Sequence, residues 1–586
     1  MIDAILSALD NPQHSAPQRI TVIEESGEEK SISYEELAQQ ALAVSSALLE
    51  FGVARKDLVL LALPASIDQL VLLTGCILIG ALPCTVAVPG RMTADSPQNQ
   101  IYVACQMFAP RMLIASANNL PRLQNLLAHM PVRVVSTAEL SVAASAGFPI
   151  RVERCDPDRG HHVQLTSGST GLPKAAILSH RNVIANVCGI GGVVGYSAER
   201  GDASASWLPL YHDMGMVTLL SNIYCKAPLL LMQPASFIRN PLGWLKRMAH
   251  FGATTTAAPT FALQYCIRRY REASMKDIDL SKLRNIFIGA ERVDEVCLRD
   301  FARTFAPHGL SRSALQPCYG MAESTLAVTM HDTNFDYDAQ ILGYVIPDRI
   351  DSRTLIEDWK ARRADDDSQK VETVLSMGRP IVGMQVCVRA PDGTDLNDRE
   401  VGEIFIRGSS IMSGYLPVKG KTEQYKSNDW LATGDIGYQV DEHLFVLGRQ
   451  KELIIIRGSN YFPHEFEEVA SSHPLLASGG NAIAAFGVYD ETQGTENLVI
   501  LIELEKKQSQ TDLHSQLQAQ LRDIFGFGAH VITFVPAGSL PRTSSGKLKR
   551  LECRNVYIQT ALNNKDTIDT APLIVDSKIE PVTAHL

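Results

Sequence analysis

The stretch HHVQLTSGSTGLPKAAILSHRN, residues 161–182, decides the fold class. Val163 and Leu165 alternate with other residues as in a strand, and a run of small and hydroxylic residues follows. Glycine tolerates positive φ and lets backbone N–H groups approach an anion, while hydroxyls can donate to phosphate oxygens. The pattern predicts a phosphate-binding loop made of Thr166, Ser167, Gly168, Ser169, Thr170, Gly171 and Lys174.

This loop differs from the Walker A motif, which requires G-x-x-x-x-G-K-[ST]. Gly168 and Gly171 are three residues apart, and Ala175 follows Lys174 where Ser or Thr would be needed. A GTPase-like or motor-like mechanism is therefore not supported. The structural alternative is a flexible surface turn.

Around this loop, short apolar runs alternate with amphipathic stretches along most of the chain. Ser33 and Glu36 have the spacing of a helix capping box at the start of SYEELAQQALAVSSALLEFG (33–52), and Gly52 is a candidate C-cap. This alternation predicts an α/β architecture with mostly parallel sheets. The runs that read as strands are 57–64, 81–89, 111–116, 283–290 and 496–505.

The composition narrows the class of protein. Of the 586 residues, 45% are hydrophobic and 20% charged, and the formal net charge is −10, which argues against a nucleic-acid binder. The uncharged stretch 69–90 is interrupted by Gly80 and Pro83, so it predicts a buried helix running into a strand rather than a membrane span. Eleven cysteines without paired spacing, and Asp3 in place of an N-terminal positive charge, indicate a cytoplasmic protein with reduced thiols.

Four further motifs follow the loop in order: YGMAES (319–324), LATGD (431–435), GRQKELIIIRGSNYFPHEFE (448–467) and PRTSSGKLKR (541–550). Together with 161–182 they resemble the adenylate-forming superfamily of acyl-CoA synthetases, adenylation domains and luciferases. The resemblance covers nearly the whole chain. It implies a large multi-subdomain N-terminal domain, residues 1–449, a small mobile α+β C-terminal domain, residues 450–563, and a tail, residues 564–586, with a hinge at Lys451.

The resemblance also implies a nucleotide site. Tyr319 offers a face on which adenine can stack, next to Gly320, Met321 and Ala322. Gly289, Ala290 and Glu291 would line the other side of the base. Asp435 would accept both ribose hydroxyls with help from Arg449, and Glu323 would bind Mg²⁺. The structural alternatives are a core tyrosine for Tyr319, a solvated glutamate for Glu323 and a turn residue for Asp435.

Two further residues are expected to be catalytic. A carboxylate that attacks the α-phosphate of ATP needs fixed positive charge, and Lys547 in its Ser/Gly-rich loop can supply it. His212, in LPLYHDMGM (208–216), could contact the carboxylate or the α-phosphate. A basic surface loop and a structural histidine are the alternatives, and Asp213 has no assignment.

Three features resemble the fatty acyl-AMP ligase branch: the H-D-M-G element, the R-G-x-N-x-[YF]-P loop, and a charged insertion at about 337–372. In that branch the insertion hinders the domain rotation needed for transfer to CoA. Leu355, Ile356 and Trp359 would share one face of a helix in it. Its alternative is a surface insertion without such a role.

The resemblance therefore implies a ligase that uses ATP and Mg²⁺ to convert a medium- or long-chain fatty acid to acyl-AMP. The acyl group would then pass to an acyl carrier protein on a separate chain. A fatty acyl-CoA ligase, a non-catalytic nucleotide- or lipid-binding scaffold, and an aryl or amino-acid adenylation enzyme remain alternatives. Trp207, Met214, Met216, Phe261, Leu263 and Tyr265 are candidates for the acyl pocket.

Overall fold

The computed structural model describes residues 1–10, 19–24, 26–87, 100–146, 156–166, 173–333, 343, 345–366, 368, 370–418, 429–477, 482–490, 493–504, 510–542 and 547–563. The predicted tail, residues 564–586, lies outside them.

The helices of the described residues are α1 Ile2–Asp10, α2 Tyr34–Glu50, α3 Ile67–Ile79, α4 Gln100–Phe108, α5 Leu120–Leu126, α6 Thr137–Ala146, α7 His180–Val194, α8 Asp213–Cys225, α9 Pro234–Arg239, α10 Pro241–Phe251, α11 Thr260–Arg269, α12 Glu272–Met275, α13 Glu295–Phe305, α14 Ser352–Asp358, α15 Pro463–Ser471, α16 Pro474–Ala477, α17 Gln510–Phe525 and α18 Arg550–Asn563.

The strands are β1 Arg19–Ile23, β2 Glu29–Ser33, β3 Leu58–Ala62, β4 Leu82–Thr85, β5 Met112–Ala115, β6 Arg133–Ser136, β7 Gly160–Thr166, β8 Lys174–Ser179, β9 Ser204–Ser206, β10 Leu229–Met232, β11 Thr255–Ala258, β12 Asn285–Ile288, β13 Leu315–Pro317, β14 Tyr319–Gly320, β15 Ala327–Met330, β16 Pro347–Asp351, β17 Val371–Leu375, β18 Arg379–Pro380, β19 Met384–Arg389, β20 Gly402–Gly408, β21 Gly414–Tyr415, β22 Leu431–Val440, β23 His443–Arg449, β24 Ile454–Ile456, β25 Ser459–Tyr461, β26 Ile483–Asp490, β27 Thr495–Leu504 and β28 Val531–Pro536.

The local signals in the sequence explain these boundaries well. Ser33 and Glu36 form the predicted capping box of α2, and Gly52 takes φ +81° just after the C-cap residue Phe51. The uncharged stretch 69–90 forms most of α3 and then β4, both buried, as expected. Among the described residues, no helix has the length and apolar character that a membrane crossing requires.

Two sheets with mostly parallel strands form the framework of the N-terminal part. The larger has the order β13-β12-β11-β9-β10-β1-β2, in which only the edge strand β2 is antiparallel among the described strands. The smaller has the order β4-β3-β5-β6 and is parallel throughout. Apolar residues of both sheets meet side chains of α2, α3, α7 and α8 in one cluster, so these helices lie between the sheets.

The parallel strands set the place of the functional residues. The carboxyl ends of β9, β12 and β13 lead into the segments that carry His212, Glu291 and Tyr319. In open α/β sheets this edge is where ligands bind. The topology therefore gathers residues that are far apart in sequence along one edge.

The remaining sheets pair mainly in the antiparallel sense, which the alternation of runs did not predict. The strands β19-β20-β22-β23 form one such sheet, which carries Asp435 and Arg449 on neighbouring strands. After Arg449 the chain forms β24–β25, the sheet β26-β27-β28 and α15–α18, with apolar clusters of its own. This α+β composition agrees with the expected C-terminal domain, whose exact boundaries remain a prediction.

Candidate active site

A cavity of about 1540 Å³ lies at the carboxyl edge of the larger sheet. Residues of the N-terminal part, from Thr85 on, line it together with residues of the C-terminal part, Lys547 and Arg550 among them. It brings together the predicted residues Thr166, Lys174, His212, Gly289, Ala290, Glu291, Tyr319, Gly320, Met321, Ala322, Glu323, Asp435, Arg449, Lys451 and Lys547. The predicted loop residues Ser167, Gly168, Ser169, Thr170 and Gly171 lie outside the described residues.

Glu323 lies at the end of the cavity where the phosphate loop begins. Its Oε1 accepts hydrogen bonds from the hydroxyls of Thr166 at 3.3 Å and Tyr415 at 2.9 Å. The Nζ atom of Lys174 lies 4.6 Å from the centroid of the Tyr415 ring. One carboxylate, two hydroxyls and one cation make this end suitable for a polyphosphate.

Tyr319 and Asp435 form a second pair. The Tyr319 hydroxyl donates to Asp435 Oδ2 at 2.6 Å, and Arg449 Nε lies 3.3 Å from Asp435 Oδ1. Burial raises the pKa of the Asp435 carboxyl, while Arg449 and the Tyr319 hydrogen bond act in the opposite direction. The carboxylate is therefore held by a hydroxyl and a guanidinium at the expected ribose position.

The segment after β12 contributes Gly289, Ala290 and Glu291. A Cβ on Gly289 would lie 2.8 Å from the carbonyl oxygen of Cys318, so only glycine fits there. The Glu291 Oε1 accepts a 2.6 Å hydrogen bond from the Phe261 amide at the start of α11. Burial raises the pKa of Glu291, and that hydrogen bond opposes the shift. One oxygen of Glu291 is thus already committed to a helix terminus.

Two residues beside the cavity adopt costly backbone conformations. Ala290 has φ +69° and the β-branched Thr325 has φ +70°. Such non-glycine residues cost about 1–3 kcal/mol each and persist where the surroundings enforce them. The buried Thr325 hydroxyl donates to the Ser410 carbonyl at 2.8 Å, which fixes the turn directly after Glu323.

Lys547 brings the C-terminal part of the chain to this cavity. Burial lowers the pKa of its ammonium group. The carboxylate of Asp213 is the foremost of the charges that raise it again, followed by those of Glu291 and Asp435. A cation in this environment is poised to exchange carboxylate neighbours for the anions of a substrate.

His212 is the N-cap residue of α8 and also lines the cavity. Burial lowers the pKa of its imidazole to about 4, and the charge of Lys547 acts in the same direction. The ring is therefore neutral near pH 7, which removes the cationic option left open by the sequence. Its Nε2 atom is buried and has no hydrogen-bond partner among the described residues.

Part of the cavity lining is apolar, and we call this part the apolar shaft. Its residues lie on α7, on α8 and on the strands β11 and β12 of the larger sheet: Val187, Ile190, Gly191, Val194, Met214, Val217, Ala257 and Phe287. Of the acyl-pocket candidates named from the sequence, Met214 lines it. Trp207, Met216 and Leu263 are instead core residues, and Phe261 and Tyr265 pack against that core.

Sequence reasoning missed several residues of the site. Tyr415 lies outside the quoted motifs and reaches Glu323 because β21 pairs with β8. The Thr433 hydroxyl accepts a hydrogen bond from the Asp435 amide at 3.1 Å, and only its place in LATGD pointed to it. The helix α7 begins inside the stretch 161–182, but no local sequence pattern predicted which of its side chains face the cavity.

Among the described residues, no group of three His, Cys, Asp or Glu side chains could hold a metal ion. Mg²⁺ does not require one, since it is bound by one or two carboxylates together with substrate phosphates. The single Glu323 carboxylate beside two hydroxyls fits such a site.

Comparison with known proteins identifies the family to which the chain belongs. Residues 9–416 match the family model described as AMP-binding enzyme, and residues 451–567 match the AMP domain of Disco-interacting protein 2-like proteins. The chain belongs to the AMP-binding enzyme family. The resemblance to the fatty acyl-AMP ligases and the α/β class expected from the sequence are confirmed.

Three similar proteins cover nearly the whole chain. The medium-chain-fatty-acid–[acyl-carrier-protein] ligase JamA of Moorena producens is 29% identical over 92% of this chain and 91% of its own. A putative acyl-CoA synthetase of Caulobacter vibrioides is 30% identical over 90% and 91%. A solved structure from a study of fatty acyl-adenylate ligases of E. coli and L. pneumophila has a TM-score of 0.85 and 28% identity, covering 96% and 98%.

Proposed function

We propose that this protein catalyses the reaction of ATP with a medium- or long-chain fatty acid to give fatty acyl-AMP and pyrophosphate. A single observation carries the proposal. One continuous cavity holds nucleotide-type side chains, Lys547 from the C-terminal part, and an apolar shaft. An acyl adenylate has the same sequence of parts: a nucleotide, a charged junction and a hydrocarbon chain.

In the proposed reaction, a carboxylate oxygen of the fatty acid attacks the α-phosphorus, and the bond to the bridging oxygen of pyrophosphate breaks. The two reactants are anions, so their approach needs fixed positive charge in a dry site. Lys547 supplies that charge at the junction. The neutral imidazole of His212 orients the carboxylate, because its buried Nε2 is free to bind a ligand atom.

The nucleotide is held by the groups around Asp435 and Glu323. Asp435 accepts the ribose hydroxyls, and Arg449 lies beside it. The adenine base lies between the Tyr319 ring, on which it stacks, and the segment Gly289–Glu291. Glu323 would hold Mg²⁺, which would supply positive charge to neutralise the phosphates. Thr166 and Lys174 contact the phosphates.

The inserted segment, residues 337–372, favours acyl-AMP as the released product. Its helix α14 buries Leu355 in a cluster shared with Tyr438 of the N-terminal part and Phe462 of the C-terminal part. It therefore ties the two parts together in the pose that brings Lys547 to the cavity. Contacts made only in this pose bias the domain equilibrium against the rotated pose.

The acceptor of the acyl group is proposed to be an acyl carrier protein on a separate chain. The name of JamA gives such an acceptor for that relative. The name of the Caulobacter relative keeps a CoA ligase as the alternative. A cytoplasmic location stays a prediction.

A product assay tests the proposal. Purified protein is incubated with ATP, Mg²⁺, a fatty-acid series and free CoA, and the products are followed by mass spectrometry. We expect acyl-AMP to accumulate with little acyl-CoA. Robust thioester formation would move the protein to the CoA ligases, and absence of pyrophosphate exchange with every acid would leave only a binding scaffold.

A further inference from the structure

Farther along α8 from His212, the lining of the cavity changes from apolar to polar side chains. Beyond Val217, the cavity-facing side of α8 continues with Thr218, Ser221, Asn222 and Cys225. Tyr196 and Ser204 line the cavity opposite them. A shaft made for a hydrocarbon thus ends on polar side chains.

These polar groups are joined in one hydrogen-bonded network. The Tyr196 hydroxyl donates to Asn222 Oδ1 at 2.7 Å and, having no second hydrogen, accepts from the Ser204 hydroxyl at 2.7 Å. Asn222 Nδ2 donates in turn to the Thr218 carbonyl at 2.7 Å. Asn222 and Ser204 are buried, at 1% and 3% exposure. We call Tyr196, Ser204 and Asn222 the end wall.

A satisfied network differs from an apolar plug in stiffness. Apolar side chains repack to admit a longer ligand at modest cost, whereas moving the Tyr196 ring breaks two partly buried hydrogen bonds at once. Such a wall costs nothing when a methyl terminus stops against it, since no polar group is left unpaired. It resists a chain that is too long.

The helix supplies a ruler for the distance to this wall. At about 1.5 Å per residue, α8 advances about 14 Å between Asp213, beside the catalytic junction, and Asn222. An extended polymer backbone covers about 3.5 Å with three bonds, so about twelve carbons span this length.

We propose that Tyr196, held by Ser204 and Asn222, closes the acyl shaft and sets the upper limit of chain length near twelve carbons. Tyr196 is then a specificity-determining residue, and the substrate class is medium-chain. This inference rests on the proposed acyl-AMP ligase activity.

The experiment uses the full chain with acids from hexanoic to octadecanoic and measures acyl-AMP by mass spectrometry. The wild type is expected to use decanoic and dodecanoic acid best and to lose activity with hexadecanoic acid. Tyr196→Ala should raise the ratio of hexadecanoic to octanoic activity by about tenfold or more. Tyr196→Phe keeps the ring but removes both of its hydrogen bonds, so it should raise the same ratio, by less than Tyr196→Ala does.

A matched control lies on the outer face of α8, the helix that carries Asn222. Tyr224 is 38% exposed and accepts a contact from Cys188 Sγ at 3.4 Å. Tyr224→Ala removes the same side chain outside the shaft, so the chain-length profile should not change.

A second variant should shorten the accepted acyl chain instead of lengthening it, and it leaves the end-wall residues in place. A Cβ on Gly191 of α7 would meet no atom within 4 Å, although the residue lines the cavity. Gly191→Leu should therefore fill the shaft and lower activity with the longest accepted acids first. Because it replaces a helical glycine beside open space, this variant decides the question if Tyr196→Ala does not fold.

The outcomes separate the inference from the function on which it rests. Acyl-AMP production with an unchanged length profile in Tyr196→Ala, or in Gly191→Leu, overturns the wall. A loss confined to acids with a terminal hydroxyl in Tyr196→Phe would make Tyr196 a recognition group and also overturn it. If the wild type forms acyl-AMP from no acid, the proposed function itself fails.

Discussion

Two of the places where the C-terminal part of the chain meets the N-terminal part differ in their chemistry. In the first, which we call the catalytic contact, Lys547 enters the cavity near Asp213. In the second, the insertion contact, Lys370 Nζ lies 3.3 Å from Glu465 Oε1 and Glu372 Oε1 lies 3.1 Å from His464 Nε2. One side of the insertion contact is the inserted segment, and the other is α15.

The two contacts have different roles. The catalytic contact surrounds a desolvated cation with carboxylates whose place the substrate anions can take. The insertion contact instead joins partners that belong to the protein itself, and Lys370 also lies 4.1 Å from the Phe525 ring centroid. The first contact therefore depends on the reaction, whereas the second holds the pose with or without substrate.

The largest expected effect comes from breaking the catalytic contact. Lys547→Ala removes the positive charge at the junction, so adenylation measured by pyrophosphate release should fall by about 10²–10³-fold. ATP binding should be largely kept, because Asp435 and Tyr319 are unchanged. Lys549→Ala is the matched control, since Lys549 pairs with Glu552 at 2.8 Å. Pyrophosphate release close to normal in Lys547→Ala would refute the role.

A variant of Asp213 tests the catalytic contact from its other partner. Its carboxylate is the foremost charge that raises the pKa of Lys547, so Asp213→Asn should lower that pKa. The rate should fall by about tenfold, or about 1.4 kcal/mol, and the alkaline limb of the kcat profile should move to lower pH.

A purely structural role of Asp213 would give a different result. Its Oδ1 also accepts a 2.8 Å hydrogen bond from the Met214 amide at the start of α8. If that bond is its only task, Asp213→Asn lowers thermal stability but leaves the alkaline limb where it was. Asp300→Asn, on the exposed side of α13, is the control for loss of one negative charge.

The two contacts also differ in how far the sequence revealed them. Lys547 and Asp435 sit in short motifs that resemble those of the adenylate-forming superfamily, so the resemblance predicted that they converge. The partners Lys370–Glu465 and Glu372–His464 are 95 and 92 positions apart. Only the folded chain brings them together, and no local spacing encodes them.

The same limit applies to the cavity. Tyr415 reaches Glu323 through strand pairing, and Tyr196 reaches Asn222 through helix packing. Both are ordinary residues within their local sequence. Capping boxes and apolar runs, in contrast, are decided by near neighbours, which is why α2 and the strand β3 were predicted correctly.

Breaking the insertion contact should change the product rather than the adenylation rate. Removing residues 350–370 would expose core side chains such as Tyr438, so point variants are the cleaner test. Lys370→Ala combined with Glu372→Ala should raise acyl-CoA formed with free CoA by several-fold, up to about tenfold for each 1.4 kcal/mol lost. Arg353→Ala, which breaks only the exposed pair with Glu357, should leave the product ratio unchanged. An unchanged ratio in the double variant would remove the assigned role of the insertion.

The smallest expected effect is a pH dependence of the same contact. Burial raises the pKa of the Glu372 carboxyl from 4.5 to about 7, and the nearby carboxylates Glu465 and Glu468 act in the same direction. Arg292 and Lys370 oppose the shift. The pose that buries Glu372 therefore binds a proton between about pH 4.5 and 7 that the separated parts release.

Because the docked pose binds this extra proton, a lower pH favours it. The insertion contact is strengthened as the pH falls below about 7 and weakened as it rises through that value, so acyl-CoA formation should increase between pH 6 and pH 8. Glu372→Gln resembles the protonated carboxyl, and its product ratio should stay low and flat across this range. A ratio that rises equally in wild type and Glu372→Gln would assign the pH dependence to CoA or to another group. In that case the protonation of Glu372 would not set the strength of the insertion contact, which would then rest on the Lys370–Glu465 pair and the packing of Leu355.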